Sequence, residues 1–343
     1  MAKTIIGLEV TEESIRAAEI SLGRRPQLMA FGEVPLAPDA ARDSEVLDPG
    51  AVAVALRQLW TAAKFTRRDV VLGVASRRIL VREYTTQAMR PDLLRQALPY
   101  QVQDLLPVPA SEAVLDFVPL AEHGDQVSGL LVAAISETIE QIISTLWKVK
   151  VRAQAVDLAA FGLTRATAAL ADPNATVATI AIGDHTTQVV ISRGGVPLFV
   201  RLLPIDVATA ASMRHPVHAG AGEPADAATA GQTGSGATVI PSRTRSAKRA
   251  SAPPGAFDLA ARVRSTVAFF AGRPGGAPLD KVFVTGAGAA VPGLVSAVAA
   301  AIDTPLTVVS VSDVIALGDT VPEGDIALDL VATVGIALGE VNR

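Results

Sequence analysis

The feature that most constrains the fold is an internal repeat, in which two sets of strand-forming segments follow nearly the same pattern. Each set consists of three short β-branched and aliphatic runs joined by tight turns. The runs are Thr4–Val10, Ser14–Leu22 and Leu28–Val34 in the first set, and Val177–Gly183, Gln188–Arg193 and Val196–Leu203 in the second. Each set predicts an antiparallel meander that continues into helices. The sequence therefore predicts an α/β fold with two similar lobes that face each other across a cleft.

A smaller unit interrupts the first lobe. From Ile79 to Lys148 the pattern changes to a strand, a helix predicted over Pro91–Leu106, two further strands and a second helix. We therefore predict that residues 1–78 and 149–175 form the first lobe, residues 79–148 an inserted α+β subdomain, and residues 176–343 the second lobe.

The second lobe contains a segment without a core-forming pattern. Residues from about 211 to 256 are rich in Ala, Gly, Ser, Thr and Pro and carry few large apolar side chains, so we predict a disordered insertion there. Its basic cluster of Arg243, Arg245, Lys248 and Arg249 fits solvated linker charge better than contact with acidic lipid or nucleic acid.

Composition argues against several classes of protein. A net charge of −4 provides no basic field that would gather nucleic acid. The absence of cysteine rules out thiolate metal sites and disulfides.

Glu9 interrupts the apolar run at the N-terminus before it reaches the length of a signal peptide. The uncharged stretch Val282–Ile302 is long enough to span a bilayer, but its glycines and Pro292 predict a strand, a turn and a buried helix instead.

Three turns carry the residues suited to binding a phosphate-containing ligand. They lie within Gly7–Ser14, Ile182–Thr187 and Val282–Leu294, where strand ends offer backbone N–H groups, hydroxyls and small residues. The candidate nucleotide-binding residues are Glu9, Thr11, Ser14, Gly183, Asp184, Thr186, Thr187, Gly286, Ala287 and Gly288.

Other chemistry finds no support in the residue pattern. The four histidines, His123, His185, His215 and His218, show no metal-ligand spacing. Ser76, Ser136 and Ser310 lack the flanking glycines of a nucleophile elbow. We therefore predict no catalytic residue and no metal site of the protein's own.

Taken together, the three turns and the inserted unit resemble the actin-like ATPases, which have the ribonuclease H-like fold. Within that superfamily the chain is most similar to the PilM family of type IV pilus assembly proteins, a relative of the FtsA family. The segments that carry this similarity are residues 89–94 (MRPDLL), 100–109 (YQVQDLLPVP), 114–117 (VLDF), 155–158 (AVDL) and 195–205 (GVPLFVRLLPI).

The resemblance implies a role and a set of partners. The first two turns would be phosphate loops and the third an adenosine motif, with ATP as the ligand, with or without Mg²⁺. The protein would be a cytoplasmic adaptor that binds the cytoplasmic tail of a PilN-like membrane protein and meets the plasma membrane's inner face only through that partner. Contacts with other pilus assembly components are expected, and homo-oligomerisation is left open.

Three departures from the superfamily pattern limit the chemistry that we expect. Glu9 and Thr11 stand where the first loop usually has an aspartate and a glycine, and Ala181 replaces the aspartate that orients magnesium. Asp184 could substitute only by reaching back across the turn, and a turn-capping role is the better interpretation. Asp206 leads almost directly into the predicted disordered insertion, so one wall of the cleft is expected to be reduced. Hydrolysis should suffer more than binding, and we do not expect an efficient enzyme.

Two alternatives belong to other functional classes. One is a working ATPase or sugar-kinase-like enzyme on the same fold, against which Ala181 argues. The other is an FtsA-like filament tethered to the membrane by a C-terminal amphipathic helix. We expect no such anchor, because Arg343 follows shortly after the last core-like helix.

Overall fold

The computed structural model describes residues 3–214, 253, 255–273 and 275–341. Its strands are β1 (Thr4–Val10), β2 (Ser14–Ser21), β3 (Gln27–Pro35), β4 (Ala41–Arg42), β5 (Glu45–Val46), β6 (Asp69–Val74), β7 (Leu80–Gln87), β8 (Ala113–His123), β9 (Gln126–Ile135), β10 (Arg152–Leu158), β11 (Thr176–Ile182), β12 (Thr186–Arg193), β13 (Val196–Pro204), β14 (Lys281–Thr285), β15 (Leu306–Val308) and β16 (Ala316–Leu317). Its helices are α1 (Pro49–Ala62), α2 (Pro91–Gln101), α3 (Ser136–Lys148), α4 (Ala159–Thr167), α5 (Ala256–Gly272), α6 (Leu294–Ala301), α7 (Val311–Val314) and α8 (Asp325–Leu338).

The two large sheets share one topology, as the internal repeat in the sequence predicted. The first sheet has the strand order β10-β6-β1-β2-β3-β16, and the second has the order β13-β12-β11-β14-β15. In each sheet an antiparallel meander is extended on one side by two parallel strands, β6 and β10 in the first and β14 and β15 in the second. Parallel additions need crossover helices, which supply the layer on one face of each large sheet.

A third, small sheet comes from the segment between β6 and β10. It has the order β7-β9-β8 and is antiparallel throughout, with α2 packed beside it. The prediction of a helix as far as Leu106 was wrong, because α2 ends at Gln101 and a short 3₁₀ turn follows. Pro99 lies inside the last turn, where it lacks the N–H that would continue the helical bonding.

Helices α4 and α8 form the layer that joins the two large sheets. On the first sheet, α1 and α3 cover one face and α8 covers the other. On the second sheet, α4 covers the face that looks towards α8, and α5 and α6 cover the opposite face. The cleft predicted between the two lobes therefore lies where the ends of both sheets meet beside α8.

Several short elements have no counterpart in the sequence prediction. They are the β4–β5 hairpin, α7, whose Ser310 and Asp313 form a capping box, and the edge strand β16. Runs of two to four residues are too short to show a periodicity.

Some predictions concern segments outside the large sheets. Residues 215–252 and 254, which include the basic cluster, His215, His218 and most of the predicted disordered insertion, lie outside the described residues. The stretch Val282–Ile302 contains β14, a 3₁₀ turn and α6, as predicted. Within the described ranges, no helix has both the length and the apolarity required to cross a bilayer.

Candidate functional site

The three predicted turns converge on one cleft between the two large sheets. The cleft has about 700 Å³ of empty space, including the part open to solvent, and α8 forms part of its wall. The predicted residues that line it are Glu9, Thr11, Gly183, Asp184, Thr186 and Gly286. The β1–β2 turn, the β11–β12 turn and the turn after β14 thus contribute to one surface, although they are distant in sequence.

Four other predicted residues lie beside the cleft without lining it. The Ser14 hydroxyl donates to Glu33 Oε1 at 2.6 Å. Thr187 is buried, and its hydroxyl has no hydrogen-bond partner within the described chain. The Ala287 N–H donates to Asp329 Oδ1 at 2.8 Å, and Gly288 packs against Ile182.

The turn after β14 requires glycine because it crosses the end of β11. Gly286 has a φ of 86°, and a Cβ at this position would overlap the Ile182 carbonyl. Its N–H donates to the Leu328 carbonyl at 3.3 Å. The third turn is therefore fixed against both the second turn and the start of α8, with its backbone close to the cleft.

Buried charges form the floor of the cleft. Arg16 Nη1 lies 2.7 Å from Asp329 Oδ2, and each side chain is only 10% exposed. Burial raises the pKa of Asp329 to about 6, although Arg16 opposes this. Burial also raises the pKa of Glu9, whose carboxylate accepts a hydrogen bond from Thr333 on α8. Glu9 is therefore turned towards the helix.

Our prediction from sequence did not include Arg16 or Asp329. The signal that could have identified them is a charged residue with apolar neighbours inside a mostly apolar segment, Arg16 in SIRAAEIS of β2 and Asp329 in DIALDLVATVGIAL of α8. A charge that interrupts a buried face needs a partner, but the sequence does not say which.

Two polar atoms on the cleft wall lack partners. Arg16 Nε and Gln188 Oε1 are shielded from solvent and make no hydrogen bond to any described residue. A buried unsatisfied polar group costs about 1–3 kcal/mol. A polar ligand in the cleft would recover part of this cost, so the wall suits a ligand with both donors and acceptors.

His185 connects the first two turns across the mouth of the cleft. Its Nε2 lies 2.8 Å from Glu13 Oε1, and its Nδ1 lies 2.8 Å from Asp206 Oδ1. Glu12 Oε2 is 3.9 Å from the same Nε2. Burial would lower the pKa of His185, but these carboxylates outweigh it and raise the pKa. The imidazolium form can donate to Glu13 and Asp206 at once.

Asp184 and the segment after β13 support the second turn. The Asp184 carboxylate accepts a hydrogen bond from the Thr209 hydroxyl, and the Asp184 carbonyl accepts one from the Val207 N–H at 2.7 Å. Residues 206–214 therefore fold back on the turn, and Val207 and Thr209 are buried. This contact favours the turn-capping interpretation of Asp184.

The lining of the cleft is predominantly acidic. The carboxylates are those of Glu9, Glu12, Asp43, Asp184 and Asp329, and the cationic groups are Arg16 and His185. Asp43 is neutralised by Arg77, whose Nε lies 2.6 Å from Asp43 Oδ1. In the part of the chain that the structure describes, no group of three His, Cys, Asp or Glu side chains is arranged to hold a metal ion. A polyphosphate would need an accompanying cation to offset the acidic groups.

A second concave surface, which we call the groove, lies between the small sheet and the first sheet. It has about 1280 Å³ of empty space, including the part open to solvent, and its walls include Val114 and Val118 of β8 and Val156 of β10. Both strands are at sheet edges, β8 in the small sheet and β10 in the first sheet. Arg165 of α4, which also lines the groove, pairs with Asp157.

Comparison with known proteins identifies relatives of the whole chain. A family model described as type IV pilus assembly protein PilM matches residues 7–204. A solved structure described as the PilM-PilN type IV pilus biogenesis complex is 19% identical, with a TM-score of 0.78 and 99% of each chain covered.

More distant structures have the same fold. One is the cytoplasmic domain of EpsL, an inner membrane component of the type II secretion system of Vibrio cholerae, with 12% identity, a TM-score of 0.50 and coverage of 98% of this chain and 96% of that one. Another is the ethanolamine utilization protein EutJ from Carboxydothermus hydrogenoformans, with 11% identity, a TM-score of 0.50 and coverage of 98% and 90%. The predicted actin-like α/β fold is confirmed.

The His185 bridge predicts a pH-dependent contribution to stability. A group whose pKa is raised by folding stabilises the protein fully below its unfolded pKa, about 6.5 for histidine, and this stabilisation is lost as the pH rises through the folded pKa. We expect the unfolding free energy of wild type to exceed that of His185→Gln most at about pH 5.5, and the gap to narrow towards about pH 9, as measured by urea denaturation.

The exposed His123 is the matched control. His123→Gln should show no such trend, and the titration of Asp329, which is common to all three proteins, cancels in each difference. If the difference in unfolding free energy between wild type and His185→Gln stays constant or increases with rising pH, the His185 bridge does not stabilise the fold as predicted.

Proposed function

Because the chain belongs to the PilM family of type IV pilus assembly proteins, we propose that it acts as a cytoplasmic adaptor in pilus assembly. Its groove would bind the cytoplasmic tail of a PilN-like membrane protein, and its cleft would bind ATP. The adaptor would then be peripheral to the inner face of the plasma membrane through its partner. The observation that supports this most strongly is a groove bordered by β8 and β10, which are edge strands in the described part of the chain.

The groove has the properties needed to bind an extended peptide. A free strand edge offers unpaired N–H and C=O groups, so a peptide that adds to β8 or β10 gains main-chain hydrogen bonds. The side chains of Val114 and Val156 are 50% and 38% exposed there and provide apolar contacts for alternate residues of the peptide. A tail with several aliphatic residues fits such a surface.

A charge placed in the groove should reduce tail binding. For Val156→Glu we expect roughly tenfold or weaker affinity for a peptide that spans the tail of a PilN-like protein, because a carboxylate would replace an apolar contact and be desolvated on binding. The measurement is a fluorescence anisotropy titration of the labelled peptide.

Val308→Glu serves as the control, since Val308 is 42% exposed on the edge strand β15, on the second sheet and away from the groove. It should bind the tail like wild type. Saturable binding that is equal in both variants would place the tail elsewhere, and a wild-type protein that binds no tail would refute the adaptor proposal.

The cleft suits a nucleotide in shape and in its unsatisfied polar groups. Thr11, Thr186 and the backbone at Gly183 and Gly286 would hold the phosphates, and Arg16 Nε would regain a partner. ATP would supply binding energy that draws the turns of the two sheets together, and a magnesium ion carried with it would offset the carboxylates. Ala181 provides no carboxylate to orient that magnesium, so we infer that hydrolysis is impaired more than binding.

Two adjacent threonines give a direct test of nucleotide binding. Thr186 lines the cleft, whereas the neighbouring Thr187 is buried outside it. Thr186→Val keeps the shape but removes a hydroxyl, so we expect roughly two- to tenfold weaker binding of ATP with Mg²⁺ by isothermal titration calorimetry. Thr187→Val should bind like wild type, because the Thr187 hydroxyl lies outside the cleft and has no partner among the described residues. Equal affinities in all three proteins would exclude the phosphate role of the second turn.

A further inference from the structure

The small sheet is attached to the rest of the molecule in two different ways. Its covalent connections, β6 to β7 and β9 through α3 to β10, both lead to the first sheet. Its edge strand β7, however, packs against β13, the edge strand of the second sheet. The small sheet therefore contacts both lobes, with β7 against the second sheet and β8 as the sheet edge at the groove.

Arg273 makes polar contacts with both β7 and β13, in addition to the apolar packing of Val81 of β7 against the cluster that contains Val200 of β13. Arg273, the residue that follows α5, forms an ion pair with Glu83 of β7, and its Nη2 donates to the Leu198 carbonyl of β13 at 3.2 Å. Its guanidinium also lies 4.3 Å from the Phe270 ring centroid and 5.3 Å from that of Phe199. Arg273 thus contacts both β7 of the small sheet and β13 of the second sheet.

The surroundings of Arg273 suggest a positioning role more than a stabilising one. Its side chain is only 14% exposed, and its Nε is buried without a partner in the described chain. Burial lowers the pKa of Arg273, and the charge of Glu83 opposes this only in part. A buried ion pair contributes little net stability, because the cost of desolvating the charges offsets their attraction. Its directional contacts, in contrast, define one placement of β7 on β13.

The groove depends on that placement. Its walls include β8 of the small sheet, β10 of the first sheet, and Gly195 and Pro197 at the start of β13. The strand that Arg273 contacts is therefore itself part of the groove, and a shift of the small sheet would change the distance between β8 and β10.

We propose that Arg273, through Glu83, is a positioning residue that fixes the small sheet on the second lobe and so pre-organises the groove for an extended peptide. The peptide as occupant rests on the proposed function, whereas the positioning of the sheet does not. A groove whose wall must first be immobilised binds more weakly, because binding then includes the cost of ordering.

The position of the small sheet can be measured without any partner. The chain has no cysteine, so Glu122→Cys on β8 and Ser265→Cys on α5, both at exposed sites, allow specific spin labelling. Double electron–electron resonance should give one narrow distance distribution in the labelled parent protein. The same pair should give a broadened or shifted distribution when combined with Glu83→Gln or Arg273→Met. Glu140→Gln, the same charge change at an exposed site on α3, should leave the distribution unchanged.

Tail binding is then measured in the unlabelled variants. We expect roughly two- to fivefold weaker affinity for Glu83→Gln and about tenfold weaker affinity for Arg273→Met, which also loses its contacts with Phe199 and Phe270. The double variant should be no weaker than Arg273→Met alone, since both changes remove the same contact. Thermal unfolding by circular dichroism should show that the variants remain folded.

The outcomes separate this inference from the proposed function. Unchanged distances in both variants would overturn the positioning role. Changed distances with wild-type tail affinity would overturn its link to the groove. If wild type binds no tail, the adaptor proposal and the link to the groove both fail, and the distances alone decide the positioning role.

Discussion

The close crossing of α4 and α8 is the contact on which the rest of the structure depends. A Cβ at Gly162 would lie 2.8 Å from the Ala332 carbonyl oxygen, and one at Gly335 would overlap the Gly162 carbonyl. The two helices therefore meet backbone to backbone, which only glycine permits. Each helix covers one large sheet, so this crossing sets how close the sheets come and where the cleft opens.

The same helix pair borders both candidate binding surfaces. Asp329, near the start of α8, lines the cleft, and Arg165 of α4 lines the groove while its Nε donates to the Gly335 carbonyl at 2.9 Å. The cleft and the groove thus both lie against the same pair of packed helices. The cleft is acidic and polar, whereas the groove is mostly apolar with free strand edges. Two ligands of different chemistry fit the molecule better than one.

The sequence predicted the parts of the fold that depend on local pattern. Both meanders followed from β-branched runs, and the turns at Thr11, Gly183 and Gly286 stood out because small residues and hydroxyls follow strand ends. It could not predict contacts that pair side chains from opposite ends of the chain. Arg16 and Asp329 meet only because α8 packs on β2, and the register of that packing is a tertiary property.

The free energy of unfolding of Gly335→Ala tests this account most directly. We predict a loss of about 1–3 kcal/mol relative to wild type, because the added methyl group must separate α4 from α8. Gly272→Ala, at the end of α5 where no described atom lies within 4 Å of the added Cβ, should be neutral or stabilising. If urea denaturation shows Gly335→Ala to be as stable as Gly272→Ala, the helix crossing does not require glycine and does not set the geometry of the cleft and the groove.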